Sequence, residues 1–325
     1  FQNHTPQEVS GYLDHALAMG PRFGPLVHYS ETHDNARLAA RGAPWSLLRN
    51  RLCALASQSG AWGFTCGVEW LAAEKIDVHG ATGLRWGQTP NLLRELAQLN
   101  ALLLEHPAFF DGARLTRLSG AASWVLALLR ESAEGLDRCL VLVNLDPLKD
   151  RPLDLDAEGT ALARTMAVDL LGQGLPEWGF DGEGQPRLVL APGRSYVLAE
   201  GRAPRGLGGE AYRRARAQAA WALQALAVVL PAEQLGPAPW RALAGRVAAS
   251  PFAFLAALAQ LAPEEARADL EQALARAAGR SAGAYPPVLR WSRADAGRVT
   301  PLPAGHWLLV EDAGPFTLHV ADGEP

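Results

Sequence analysis

Apolar positions in the first hundred residues recur at helical spacing, interrupted by short continuous runs. Thr5-Pro6-Gln7-Glu8 has the form of a helix start, with Thr at the cap, Pro in the first turn and Glu three residues on. Val9, Tyr12, Leu13 and Leu17 follow at helical spacing, and Gly20-Pro21 is the expected end. Gly24-Pro-Leu-Val-His-Tyr29 is short, apolar and β-rich, which predicts a buried strand. Pro44 opens a second helix, from Trp45 to about Ser57, with Leu47, Leu48, Leu52 and Leu55 on its apolar side. Ala61-Trp-Gly-Phe-Thr-Cys66 predicts another short buried strand, and Pro90-Asn91 leads into a long helix ending near Leu104. With Phe1–His4 as a strand tail, the order is strand, helix, strand, helix, strand. That repeat implies parallel strands with helices outside.

Beyond residue 110 the period changes from helical to alternating. Arg114–Leu118, Trp124–Arg130, Arg138–Leu145, Thr165–Leu171, Arg187–Leu190 and Ser195–Ala199 are strand-like runs divided by Gly, Pro and Asp turns. They predict an antiparallel β-sandwich of about 90 residues. Gly206-Leu-Gly-Gly209 is a break, and the chain beyond it is Ala-rich and helical. Helices are expected over Tyr212–Leu230 and Pro239–Ala248, with a third capped by Ser250-Pro251 and a fourth from Pro263 to Gly279. After Pro286-Pro287 the pattern returns to β, with Trp307–Glu311 and Phe316–Val320 flanking Asp-Ala-Gly-Pro, which predicts a hairpin. The expected domains are residues 1–110, 111–203, 204–283 and 284–325.

Composition narrows the function classes. At 325 residues the chain has room for two or three domains, and 20% charged residues are ordinary for a globular protein. A net charge of -4 gives no reason to expect nucleic acid or an anionic membrane as partner. The longest apolar runs, Ala217–Leu230 and Phe252–Ala262, contain Gln and fall short of the roughly 18 residues a bilayer needs. Without a recognisable signal segment, a cytoplasmic location is expected. Cys53, Cys66 and Cys139 lie in apolar surroundings and are odd in number, which predicts buried free thiols in a reducing compartment. The first residue is Phe1, read as lying within an element, so the chain is expected to be a piece of a longer polypeptide.

The chemistry gathers in Tyr29-Ser-Glu-Thr-His-Asp-Asn-Ala-Arg37, where a carboxylate, an imidazole, an amide and a guanidinium follow the end of a predicted strand. In barrels of alternating strands and helices, active sites are built at that end. Glu31-Thr32-His33-Asp34-Asn35 resembles the fourth conserved segment of the α-amylase family of glycoside hydrolases, usually Glu-Asn-His-Asp, with Thr32 in place of the Asn. Gly63-Phe-Thr-Cys-Gly67-Val68-Glu69 is similar to the family's eighth barrel strand, and Glu74 to Gly87 resembles the loop after it, with Arg85 and Trp86 at the loop's end. Val141-Leu-Val-Asn144-Leu-Asp146 looks like a strand of the family's C-terminal domain.

The resemblance implies the C-terminal portion of a (β/α)8 TIM barrel, then an antiparallel β-sandwich, an α-helical segment and a short β segment: a multi-domain α/β plus β architecture. It also implies that Asp34 is the transition-state-stabilising carboxylate. Positive charge builds on the sugar ring during cleavage, so a fixed carboxylate lowers the barrier. His33 would hydrogen-bond the sugar, with Glu31, Asn35, Arg37, His79 and Trp86 as further substrate contacts and His4 near the cleft. Glu69 is expected to brace its loop. The nucleophile and general acid would lie upstream of Phe1, so this chain by itself would be inactive. The substrate implied is an α-1,4/α-1,6-glucan such as glycogen or maltooligosaccharide, and the partners are the upstream barrel half and a downstream domain. The closest wording is that of bacterial glycogen-debranching or 4-α-glucanotransferase proteins. No cofactor and no metal are expected: a metal reading through His28, His33 and Asp34 has the ligand types without the clustered spacing. The alternative is a non-catalytic glucan-binding or scaffolding fragment.

Overall fold

The computed structural model describes residues 5–77, 79–80, 86–229, 240–251, 253–255, 288–290, 305–311 and 314–320. The chain divides into two compact units, Phe1–Gly209 and Glu210–Pro325.

The first unit begins with α1, Pro6–Phe23, whose N-terminus is closed reciprocally. The Glu8 N–H donates to the Thr5 hydroxyl, and the Glu8 carboxylate accepts the Thr5 N–H at 2.7 Å. The expected end at Gly20 is overturned, since the helix runs on to Phe23 and stops at Gly24, whose φ is 92°. Gly20 serves a close approach instead. A Cβ there would meet Gln58 Nε2 at 2.8 Å, and that amide donates to the Ala16 carbonyl at 2.6 Å.

Strand β1, His28–Tyr29, pairs in parallel with β2, Trp62–Gly63. Each is two residues long, and the expectation of buried strands over 24–29 and 61–66 is corrected: Val27 and Tyr29 are 49% and 56% exposed, and Cys66 is exposed. Among the described residues β1 has one strand neighbour. Helix α2, Ala43–Leu55, follows β1 after a loop that ends in one turn of 3-10 helix at Leu38–Arg41, and α3 spans Leu93–Glu105.

Eight further strands form two antiparallel sheets. One has the order β3 (Arg114–Arg117), β4 (Val125–Glu131), β5 (Arg138–Asn144), β10 (Ser195–Ala199), β7 (Val168–Asp169). The other has the order β6 (Arg151–Leu153), β9 (Pro186–Leu190), β8 (Glu177–Phe180). Side chains alternate across the central strands. Leu126, Leu128, Val141 and Val143 join Val9, Leu13, Leu52, Leu55 and Leu99 of the three helices in one core. Val125, Ala127, Leu140 and Leu142 meet Leu153, Leu188 and Leu190 of the smaller sheet in a second core. Burial on both faces is why β5 reads as a continuous apolar run.

The expected strand over Thr165–Leu171 is present but shorter: β7 is Val168–Asp169, flanked by the Ala167 and Leu170 N–H groups donating to the Ala199 and Val197 carbonyls at 2.9 and 2.8 Å. An unexpected helix, α4, precedes it over Ala157–Thr165, capped by Asp156 accepting the Gly159 N–H at 2.7 Å.

In the second unit, α5 spans Gly209–Val229 and α6 spans Trp240–Ala249. Ala222, Val247 and Phe254 form a small core, and the Ser250 hydroxyl accepts the Ala253 N–H at 3.2 Å to start the next helix. Strand β11, Val288–Arg290, runs parallel to β12, Gly305–Glu311, which pairs antiparallel with β13, Gly314–Val320. The helix expected from Pro263 to Gly279 lies outside the described residues. Among the described residues no helix is long and apolar enough to cross a membrane.

Candidate functional site

The loop between β1 and α2 is pinned at both ends by buried polar contacts. At its start the Ser30 N–H donates to the Gly63 carbonyl at 3.0 Å, and the Ser30 hydroxyl donates to Asn50 Oδ1 at 2.8 Å. Asn50 in turn donates to the Ser46 carbonyl at 2.8 Å, which ties the strand end to α2. The Glu31 carboxylate then lies 2.6 Å from Arg37 Nε, with side-chain exposures of 1% and 0%. Its second oxygen accepts the Leu38 N–H at 2.7 Å, and Arg37 Nη2 donates to the Cys66 carbonyl at 2.9 Å. Burial pushes the Glu31 carboxyl above its usual range, and the Leu38 N–H and Arg37 pull it back.

Between these anchors the chain makes a tight turn. The Asn35 N–H donates to the Thr32 carbonyl at 3.2 Å, and the Thr32 hydroxyl donates to Asn35 Oδ1 at 2.7 Å. His33 and Asp34 form the apex, with His33 Nε2 3.4 Å from Asp34 Oδ1 and side-chain exposures of 56% and 81%. The pair is held by its backbone and offered to solvent.

Two of the expected substrate contacts lie away from solvent. Glu31 and Arg37 are buried against each other, where a ligand at the surface does not reach them. Alternation along a strand would have placed Glu31 on the face of His33, but β1 ends at Tyr29 and the turn at Thr32 reverses the direction. Both residues position the loop. Asn35 stays at the exposed apex. His79 is exposed, its N–H donating to Asp77 Oδ1 at 3.0 Å, and Trp86 is 60% exposed. His4 and Arg85 lie outside the described residues. Glu69 does brace the loop after β2: its carboxylate accepts the Gly67 N–H at 3.0 Å and its carbonyl accepts the Leu92 N–H at 2.8 Å.

The expectation of three buried thiols is corrected at Cys66, which is exposed. Burial pushes the thiols of Cys53 and Cys139 up to about 12. His28 is buried with its ring edge-on to Tyr12 at 5.5 Å, and burial pushes it down to about 4. Among the described residues no three His, Cys, Asp or Glu side chains are grouped to hold a metal ion.

Sequence reasoning missed the Ser30–Asn50–Ser46 chain, although a Ser and an Asn four residues apart on an apolar helix were a signal of a buried polar network. It also missed Trp45 in the first turn of α2, against which the guanidinium carbons of Arg41 and Arg49 lie at 3.5 and 4.1 Å. Two cavities of the first unit lie away from Asp34. One, of about 630 Å³, adjoins α4, and the other, of about 340 Å³, is lined by residues that include His106, Asp137 and Arg205.

No protein-family model and no curated protein matches the chain. Among solved structures it is similar to the maltogenic α-amylase AmyB from Thermotoga neapolitana, with a TM-score of 0.44 and 16% identity over 58% of this chain and 45% of that one. It is also similar to an α-amylase from Lactobacillus plantarum, with a TM-score of 0.41 and 14% identity over 59% of this chain and 42% of that one. Both are α-amylases. The chain spans less than half the length of each.

Proposed function

We propose that the chain is part of an α-amylase-type glycoside hydrolase or 4-α-glucanotransferase, and that Asp34 is the carboxylate that stabilises positive charge on the reacting sugar. The observation that carries this reading is the loop itself. A buried Glu31–Arg37 pair fixes the backbone on which His33 and Asp34 stand, at the C-terminal end of β1 and beside the loop after its parallel neighbour. A carboxylate in open water stabilises little, and its field strengthens when a bound sugar excludes solvent. Hydroxyls of the bound ring would take hydrogen bonds from His33 and give them to Asp34, with Asn35, His79 and Trp86 at the margin.

Retaining cleavage uses two more carboxyl groups about 5 Å apart. Glu31 and Glu69 are poor candidates, since their oxygens already accept the Leu38 and Gly67 N–H groups. The nucleophile and general acid are therefore assigned to a preceding half of the barrel in the same polypeptide. The substrate is an α-1,4/α-1,6-glucan, and whether water or a second sugar accepts the glycosyl group decides between hydrolysis and transfer. The free thiols of Cys53, Cys66 and Cys139 suit a reducing compartment such as the cytoplasm.

In the polypeptide that carries the remaining strands, Asp34→Asn is expected to lower kcat about a thousandfold, about 4 kcal/mol on the barrier, with Tm unchanged. An undiminished kcat would overturn the role of Asp34. The present chain alone, incubated with maltoheptaose, is expected to leave its length distribution unchanged. The openness of Asp34 favours a second reading, a glucan-binding surface without chemistry. Sugar binding by a longer polypeptide that shows no turnover would select it.

A further inference from the structure

The cavity of about 630 Å³ lies between α4 and the turn joining β8 to β9, and none of its lining residues belongs to the loops around Asp34. Its polar lining includes Asp154, Asp181, Arg164, Arg187, Gln185 and Thr160. Two carboxylates and two guanidiniums balance, so an ion of either sign gains little there and an uncharged ligand loses nothing. The charges are also fixed in place. Arg187 Nε lies 3.0 Å from Asp154 Oδ1, and Asp181 accepts the turn N–H groups of Glu183 and Gln185 at 2.8 and 2.7 Å.

An aromatic surface adjoins this polar cluster. Arg164 carries its guanidinium over the Trp178 ring at 5.5 Å. Two residues on, Phe180 shares the strand face of Trp178, roughly 6.7 Å further along, opposite Pro186 in the register and next to Asp181 in the chain. Trp178 is 39% exposed and Phe180 73%. A large ring that far in water, at the rim of a cavity lined with hydrogen-bonding groups, matches the anatomy of a ligand site.

We propose that the β8–α4 cavity and its aromatic rim bind an uncharged oligosaccharide. The rings of Phe180 and Trp178 cover the C–H faces of sugar units, and the Arg164 fork and the Gln185 amide take the hydroxyls. Only the choice of α-glucan as the sugar rests on the proposed function; the site itself does not.

The test titrates the intact chain with maltoheptaose and, separately, with cellohexaose, read by calorimetry and tryptophan fluorescence. Phe180→Ala and Arg164→Met are each expected to raise Kd about tenfold, the scale of a lost anchor. Thr5→Ala, in the cap of α1 and away from both sites, is expected to leave this binding unchanged. Phe180 is exposed enough for its variant to fold, and an unchanged Tm checks this. Binding that is indifferent to both cavity variants, binding lost in Asp34→Asn instead, or no binding of either sugar overturns the proposal. Binding of cellohexaose in place of maltoheptaose, still lost in Phe180→Ala, upholds the site and counts against the α-glucan reading. Retained turnover in Asp34→Asn of the longer polypeptide would sink the catalytic assignment while leaving this site standing.

Discussion

Arg37 and Arg130 are both wholly buried, and the protein answers their charge in opposite ways. Arg37 faces a carboxylate: Glu31 lies 2.6 Å away, so the pair adds no net charge beneath the exposed Asp34. Arg130, on β4, is met by backbone. Its Nε donates to the Ala108 carbonyl at 2.9 Å, and its Nη1 donates to the carbonyls of Leu55 and Ser57 at 2.9 and 2.7 Å. The Phe109 ring lies 4.2 Å from its guanidinium carbon. Those carbonyls belong to the end of α2 and to the turn after α3, where a helix leaves acceptors unsatisfied and its dipole favours a cation. Arg130 thus fastens the helices to the sheet, and burial holds it down to about 9. One buried guanidinium shapes a loop, and the other closes a fold.

The largest effect expected from this contrast is on Arg130. Arg130→Met keeps the bulk and leaves three buried carbonyls without their donor, at roughly 1 to 3 kcal/mol each before relaxation. A net loss of about 4 kcal/mol is expected in urea unfolding. A loss below about 1 kcal/mol would mean that the carbonyls find other donors and would break the contrast. Next comes Arg37→Met, which strands the Glu31 carboxylate and is expected to cost about 3 kcal/mol. Adding Glu31→Gln should recover about half of that, because the cost lies in the unpaired charge. A double variant as unstable as the single one would show that the pair is not coupled.

Acid sharpens the contrast further. His28, at the foot of the Arg37 loop, is pushed down to about 4 by burial, and His106, on the Arg130 side, is pushed down by burial against the pull of Asp137. A base whose folded value is depressed gives stability that is present above its unfolded value, near 6.5, and is lost as pH falls through the folded one. Roughly 2 to 3 kcal/mol from His28 should therefore disappear between pH 6.5 and 4. His28→Phe preserves the edge contact with Tyr12 and is expected to flatten most of that slope in denaturant titrations at pH 7 and 4.5. An unaltered slope would reassign the acid sensitivity to other groups.

What was legible in the sequence follows the same division. Val125–Glu131 and Arg138–Asn144 could be read because a strand buried on both faces has to be apolar throughout, whatever surrounds it. The parallel pairing of β1 with β2 followed from the helix between them. Gly24–Tyr29 misled because Leu26, Val27 and Tyr29 stand partly in solvent, a fact about company and not composition. In the loop, His33 and Asp34 were visible as chemistry, but the burial of Glu31 depended on a turn at Thr32 that no residue advertises.

The smallest expected effect concerns α4, a helix absent from the expectations drawn from the sequence. Asp156 is its N-cap, the carboxylate accepting the Gly159 N–H at 2.7 Å. Glu158 follows in the first turn, where the dipole favours an acid. Asp156→Ala is expected to cost about 1 kcal/mol, as caps usually do. Thr5→Ala in α1 should cost a similar amount, because it removes one half of a reciprocal pair whose other half, Glu8 to the Thr5 N–H, survives. The two variants part in what else they disturb. α4 forms one wall of the β8 cavity, so Asp156→Ala should also weaken oligosaccharide binding, whereas Thr5→Ala should leave it as it was. Equal stability loss with equal, unchanged binding would detach α4 from that site.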